Sequence, residues 1–352
     1  MRMLASGIVQ LFDRVRTGPA LRLPYPVALQ RALDRISVMA MAVDVEPPNS
    51  VMDLLTWAGR PFGEWPLRLR TDGMDGSEVL LAHGQPSRAC VEWSLFAPDV
   101  EAEFRERTLI REVLDICRAQ DRPDVYVAFR TLLIERPAMS ERDLALTLAR
   151  PDLSLLATQL RGAYRPAPGE TLVGGYALVC AGCGNLRVAQ PDGQRECLEW
   201  DCPDPASEGT QLAADEGVAW LGRELRMFIA APGRAELRIA RRLEEHGIVM
   251  RRWPDYDACD LIPERVALPA DVKSWANPVR LARRLDARPP RVPAGARRFF
   301  VVIAKEQTRG RPHYLRALTT HSRWLRENGH VEAVTEDTYV RRVRAWIEGD
   351  GR

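Results

Sequence analysis

Four cysteines fall within 23 residues of this chain: Cys180, Cys183, Cys197 and Cys202. The first two form a Cys-x2-Cys knuckle followed by Gly184, and four residues separate the second two. Four thiolates in two local pairs can close a tetrahedral zinc site, and closing it forces the intervening chain back on itself. Between the pairs, "NLRVAQPDGQREC" supplies a strand, a Pro-Asp-Gly turn and a return, the plan of a zinc ribbon. Gly184 lets the backbone turn tightly enough for amides to face the sulfurs. The wider spacing of the second pair departs from the commoner x2. The bland alternative, unrelated buried thiols, must place four of seven cysteines in one short stretch. Four thiolates leave no open coordination position, so the expected zinc is structural. Cys90, Cys117 and Cys259 are isolated and read as core residues.

The chain around this landmark is long enough, at 352 residues, for two or three domains. No apolar run approaches the roughly 18 residues of a membrane span. The start, "MRMLASGIVQLFDRVRTG", reads as an amphipathic helix and not a leader. A cytoplasmic protein without a membrane partner is expected, so metal or core use of cysteine is favoured over disulfides. The expected architecture is multi-domain α/β: residues 1–170 mostly helical with a small hairpin sheet, 171–210 the ribbon, and 211–352 an α/β domain with a mixed sheet. In the first block "PVALQRALDRISVMAMAV" and "DVEAEFRERTLIREVLDICRAQ" carry helical periodicity. "PLRLR", "SEVLLAH" and "ACVEWSLF" read as short strands. "MSERDLALTLARPDLSLLATQLRGAY" reads as two short helices with Ser140 as N-cap.

The net charge of +2 is uneven. From Gln211 onward there are 27 Lys/Arg and 19 Asp/Glu, a balance of 27 − 19 = +8, which leaves −6 for the rest. A basic C-terminal part suits an anionic partner, although solvated faces would give the same bias. In that part "PGRAELRIARRLEEHG" reads as a helix stopped by Gly247. "IVMRRW", "PDYDACDLIP" and "RVALPADVKSW" read as strands, "NPVRLARRLDA" as a helix, "RRFFVVIAKEQ" as a buried strand and "RGRPHYLRALTTHSRWLRENG" as helix. Only two of the 50 basic residues are lysines, Lys273 and Lys305. Lysine is a compact charge with a movable pKa, whereas arginine holds its proton. Retaining lysine at 273 favours a site that needs an ammonium. On a strand Asp271 and Lys273 share a side, and if the preceding strand folds back, Asp260 lands beside Asp271. Two close carboxylates repel unless a cation lies between them. Mg²⁺ takes such carboxylates together with waters and phosphate oxygens.

Glu236 on a helix, Asp260 ahead of Leu261-Ile262, and "DVK" at 271–273 resemble the PD-(D/E)xK restriction-endonuclease-like nucleases over roughly residues 215–330. The resemblance implies a mixed sheet flanked by helices, with Asp260 and Asp271 as ligands of Mg²⁺ or Mn²⁺. It further implies Lys273 as the lysine that assists the attacking water and Glu236 as the helix acid. Asp257 and Asp255 compete with Asp260, and Gln307 is a candidate for an auxiliary polar residue. More narrowly, a helical N-terminal part, a four-Cys ribbon and "YDACDL…DVKSWANP" are similar to nucleases found with PIWI-RE proteins. That similarity implies an endonuclease acting on DNA in prokaryotic defence, beside an Argonaute-like PIWI partner and a DinG-type helicase.

Arg280, Arg283, Arg284, Lys305, Arg309 and Arg311 are candidate phosphate contacts, each weighed against a solvated face. His313 and His321 read as surface residues and Trp275 as a packing anchor. The alternative to an enzyme is a non-catalytic nucleic-acid-binding or scaffold subunit with a relic nuclease fold. A transcription regulator reading DNA through the helix pair at 140–162 is a third reading.

Overall fold

The computed structural model describes residues 1–350 except 18–22, 70–72, 97–100, 190–192, 198, 200–201 and 208. Arg70 of "PLRLR", Asp99 and Val100 ahead of the long helix, and Pro191-Asp192 of the ribbon turn lie outside the described residues. Two compact units divide the chain. One comprises Met1–Phe104, Trp275–Arg288 and Thr320–Arg323; the other comprises Arg105–Ser274, Pro289–Thr319 and Trp324–Arg352. The elements that matter most below are helices α1 (Pro123–Glu135), α2 (Ala231–Glu244), α3 (Pro278–Ala287) and α4 (Glu336–Asp350). The strands are β1 (Met250–Arg252), β2 (Leu261–Pro263), β3 (Ala270–Lys273), β4 (Phe299–Ile303) and β5 (Val331–Thr335).

The first unit is helical. Helices Arg2–Thr17, Val27–Met41 and Val51–Ala58 precede Arg88–Ser94, and α3 belongs with them. "ACVEWSLF" is thus mainly helix and not strand. Ser87 caps it by accepting the Cys90 N–H at 3.1 Å, and Ala89, Cys90, Val91 and Trp93 bury themselves around successive turns. A good N-cap outweighed local β-propensity here. "SEVLLAH" yields only a minimal hairpin, Leu81–Ala82 with Gln85–Pro86, turning at His83 and Gly84 with φ of 50° and 67°. The described part of "PLRLR" forms no strand.

The second unit holds a five-stranded mixed sheet in the order β1-β2-β3-β4-β5. The first two pairings are antiparallel and the last two parallel. All five residues of β4, "FFVVI", are buried, as expected of a strand covered on both faces. Ala235, Ile239, Ala240 and Leu243 of α2 and Tyr339, Val340 and Val343 of α4 share one core with Ala270, Val272, Phe300, Val302 and Val334. β5 and α4 were not anticipated from the sequence, and the expected helix after β4 breaks into Tyr314–His321 and Arg323–Glu327. A second core gathers Tyr126, Phe129 and Leu133 of α1 with Leu144, Leu156, Leu160, Leu237 and Trp253. The helix pair Glu141–Leu148 and Ala157–Ala163 spends Leu144 and Leu160 on that core. Ser140 caps the first helix by accepting the Asp143 N–H.

Candidate active site and metal centre

The four cysteines converge. Their sulfurs all lie within 4.8 Å of one another, with Cys180 and Cys202 at 3.6 Å and Cys183 and Cys197 at 3.4 Å. Tetrahedral Zn–S bonds of about 2.3 Å set sulfurs roughly 3.8 Å apart, so this donor set fits zinc. The knuckle needs its glycines. Gly184 is left-handed at φ 75°, and a side chain on Gly182 would strike the Asp204 carbonyl and the Cys202 sulfur. Without a cation the thiols compete. Cys183 is drawn down to about 6, chiefly by its hydrogen bond with Cys197, while burial pushes Cys202 up to about 12. A bound cation would hold all four as thiolates.

The acidic site is built at the ends of β2 and β3. Leu261 pairs with Ala270, which puts Asp260 across from Asp271. The Asp260 N–H donates to the Ala270 carbonyl at 3.1 Å, and Asp260 Oδ2 accepts the Val272 N–H at 2.6 Å. Alternation along β3 turns Val272 into the core and leaves Asp271 and Lys273 together, the ammonium 2.7 Å from Asp271 Oδ2. Both aspartates are 8% exposed, while the Lys273 side chain keeps a quarter of its surface open. Burial, then the charges of Glu236 and Asp271, hold the Asp260 carboxyl well above the usual range. Burial alone would lower Lys273, but Asp271, Asp260 and Glu236 outweigh it and keep it an ammonium. Oxygen donors whose charges are incompletely compensated would suit a hard divalent ion.

Glu236, on α2, is buried in the same cluster. It accepts the Trp253 Nε1–H at 2.5 Å and faces Arg130 of α1 at 3.3 Å. Arg130 also donates to Asp257 at 2.5 Å, and its Nη2 lies 3.9 Å from Asp260 Oδ1. Sequence reasoning missed Arg130, which lies 106 residues before Glu236 and carries no local motif. The competitor Asp257 therefore faces a guanidinium, and Asp255 sits outward, 3.6 Å from Arg251. "PDYDACDLIP" is not a continuous strand. Trp253, Asp255, Tyr256 and Asp257 all have positive φ, and β2 begins only at Leu261. Each such non-glycine residue costs about 1–2 kcal/mol. The turn aims the Trp253 indole at Glu236 and Asp257 at Arg130.

The basic candidates separate. Arg280 is a correction. It is fully buried in the first unit, with Nη2 at 2.6 Å from both Glu78 and Glu92, and it donates to the Gly73 carbonyl at 2.9 Å. A guanidinium so enclosed cannot meet a phosphate. Arg284, on the same helix, is half-buried. Lys305, Arg309 and Arg311 are exposed in the second unit. The Ala304 N–H donates to the Lys273 carbonyl at 3.0 Å, so Lys305 follows directly on the residue beside the site. Gln307 is buried and donates to the Ser274 hydroxyl at 3.2 Å. Trp275 packs edge-on against Phe96 within the first unit, as a packing anchor would.

Residues 233–351 match the family model described as REase associating with pPIWI_RE, a stretch that holds Glu236, Asp260, Asp271 and Lys273. The match defines the class of that stretch: restriction-endonuclease-like. Residues 1–140 match the model described as pPIWI_RE three-gene island domain Y, and the two matches together link this protein to PIWI-RE systems. No curated protein and no solved structure matches the chain. Among the described residues no helix is long and apolar enough to cross a membrane.

Proposed function

We propose that the protein is a metal-dependent endonuclease that cuts phosphodiester bonds of DNA, working in a pPIWI_RE island beside a PIWI partner and a helicase. The observation that carries this reading is the pairing of Asp260 and Asp271 across adjacent strands with the Lys273 ammonium 2.7 Å from Asp271. Asp260, pinned through Oδ2 to the Val272 N–H, and Asp271 would hold Mg²⁺ or Mn²⁺. The bound ion supplies Lewis acidity to a phosphate oxygen and lowers the pKa of a water. Lys273 stays protonated, so it steadies charge developing on the phosphate and orients the water instead of taking its proton. Lys305, Arg309 and Arg311 contact the backbone beside the cut. The four cysteines hold a structural zinc in a ribbon and do not enter the chemistry.

Plasmid nicking with added Mg²⁺ or Mn²⁺ tests the proposal. Wild type should nick, and Lys273→Ala or Asp271→Ala should lower the rate by at least about a hundredfold. Activity that survives both substitutions removes the site. Inactivity of wild type with DNA, metal and the island's other proteins all present favours the scaffold reading.

A further inference from the structure

We propose that Arg130 is the fixed counter-cation of the acidic site and limits it to a single divalent ion. This rests on the reading of Asp260 and Asp271 as the acids that hold the metal. Arg130 comes from α1, outside the nuclease-like match and inside the N-terminal one.

The guanidinium is held on several sides. It lies 4.7 Å from the Trp253 ring centroid, and Nη1 donates to Asp257 and, at 3.3 Å, to the Tyr126 hydroxyl. Nη2 faces Glu236 at 3.3 Å and Asp260 at 3.9 Å. Only 5% of the residue is exposed, so it is no substrate contact. Both oxygens of the Glu236 carboxylate accept from Arg130, and one also accepts from the Trp253 indole. This assigns Glu236 to charge-setting instead of metal ligation.

The charges then define a number. With a cation bound to keep all four acids ionised, Glu236, Asp257, Asp260 and Asp271 contribute four negative charges and Arg130 and Lys273 two positive ones, a formal balance of 2 − 4 = −2. One divalent ion neutralises it. A second would have to occupy the place where the guanidinium already bridges Glu236, Asp257 and Asp260. Arg130 does the electrostatic work of that second ion without leaving the protein.

Mn²⁺ binding to the full-length, zinc-loaded chain tests this, followed by electron paramagnetic resonance of the free ion. Wild type should bind one Mn²⁺ that Asp271→Asn removes. Glu236→Gln brings the site to −1 and should weaken Mn²⁺ binding at least about fivefold, from one charge acting on a divalent ion several ångströms away. Arg130→Gln brings it to −3 and should tighten binding by a similar factor or admit a second ion. Arg130→Gln combined with Glu236→Gln returns the site to −2 and should restore wild-type binding. Melting of each metal-free variant reports whether it folds. If Arg130→Gln does not, Glu236→Gln and the double variant decide the matter alone. If Arg130 were merely structural, its removal would change neither Mn²⁺ number nor affinity, so Arg130→Gln would bind as wild type and the double variant as Glu236→Gln, and that result overturns the inference. So does a wild type that binds two Mn²⁺ ions dependent on Asp271. A wild type that binds none sinks the nuclease reading itself, which distinguishes the two failures.

Discussion

Arg280 and Lys273 are both basic residues near the end of one strand, seven positions apart, yet they do opposite things. Lys273 reaches the acids because strand alternation sets it on the side of Asp271, a rule legible in three letters of sequence. Arg280 is buried because Glu78 and Glu92, about two hundred residues earlier, close over it, and no local pattern announces that. Removing one member of such a buried cluster leaves uncompensated charge. Arg280→Ala should cost about 3–5 kcal/mol, read from the denaturant midpoint. A milder case is Glu332. Burial acts to raise it, but Arg342 and Arg298 prevail and hold it below the usual carboxylate range. A depressed carboxylate contributes stability above its unfolded pKa of about 4.5 and loses it as pH falls through the native value. The melting difference between wild type and Glu332→Gln should therefore shrink as pH drops from about 6 to about 3.

At the scale of elements, helical and strand periods placed α2, α3, β1, β3 and β4. They failed where turn chemistry or capping decided: at "ACVEWSLF", capped into a helix by Ser87, and at "PDYD", thrown into left-handed turns. Gly233 shows why α2 and α1 can meet. A methyl group there would lie 2.3 Å from Ile134 Cδ1. Gly233→Ala should destabilise the chain by about 1–3 kcal/mol through overpacking, measured by thermal melting, and should loosen the Arg130–Glu236 contact. The cysteine element was the most legible, since its spacing required the four side chains to converge. If the cluster holds a metal, a strong chelator should expose residues 172–213 to protease while the sheet around β4 persists. Equal resistance with and without chelator would argue against a metal in that cluster.

For the whole molecule, chain order and compactness disagree. Trp275–Arg288 groups with Met1–Phe104, so a fragment ending at 104 lacks the arginine that pairs Glu78 and Glu92. Such a fragment should be largely unfolded by circular dichroism, whereas the full chain should melt cooperatively. A fragment starting at 211 lacks Tyr126, Phe129 and Leu133 of α1, which share a core with Leu237 and Trp253, and should melt well below the full chain. What the sequence determined alone were features set by local pattern: the cysteine quartet, the alternation of Asp271 and Lys273, the periodic face of α2 and the unbroken apolar run of β4. What only the tertiary structure decided was the company those residues keep, Arg130 against Glu236 and Arg280 against Glu78 and Glu92. Local geometry acts over a few residues and leaves a period to read. The pairing of buried charges depends on where distant segments come to rest, and it leaves no trace in the order of neighbours.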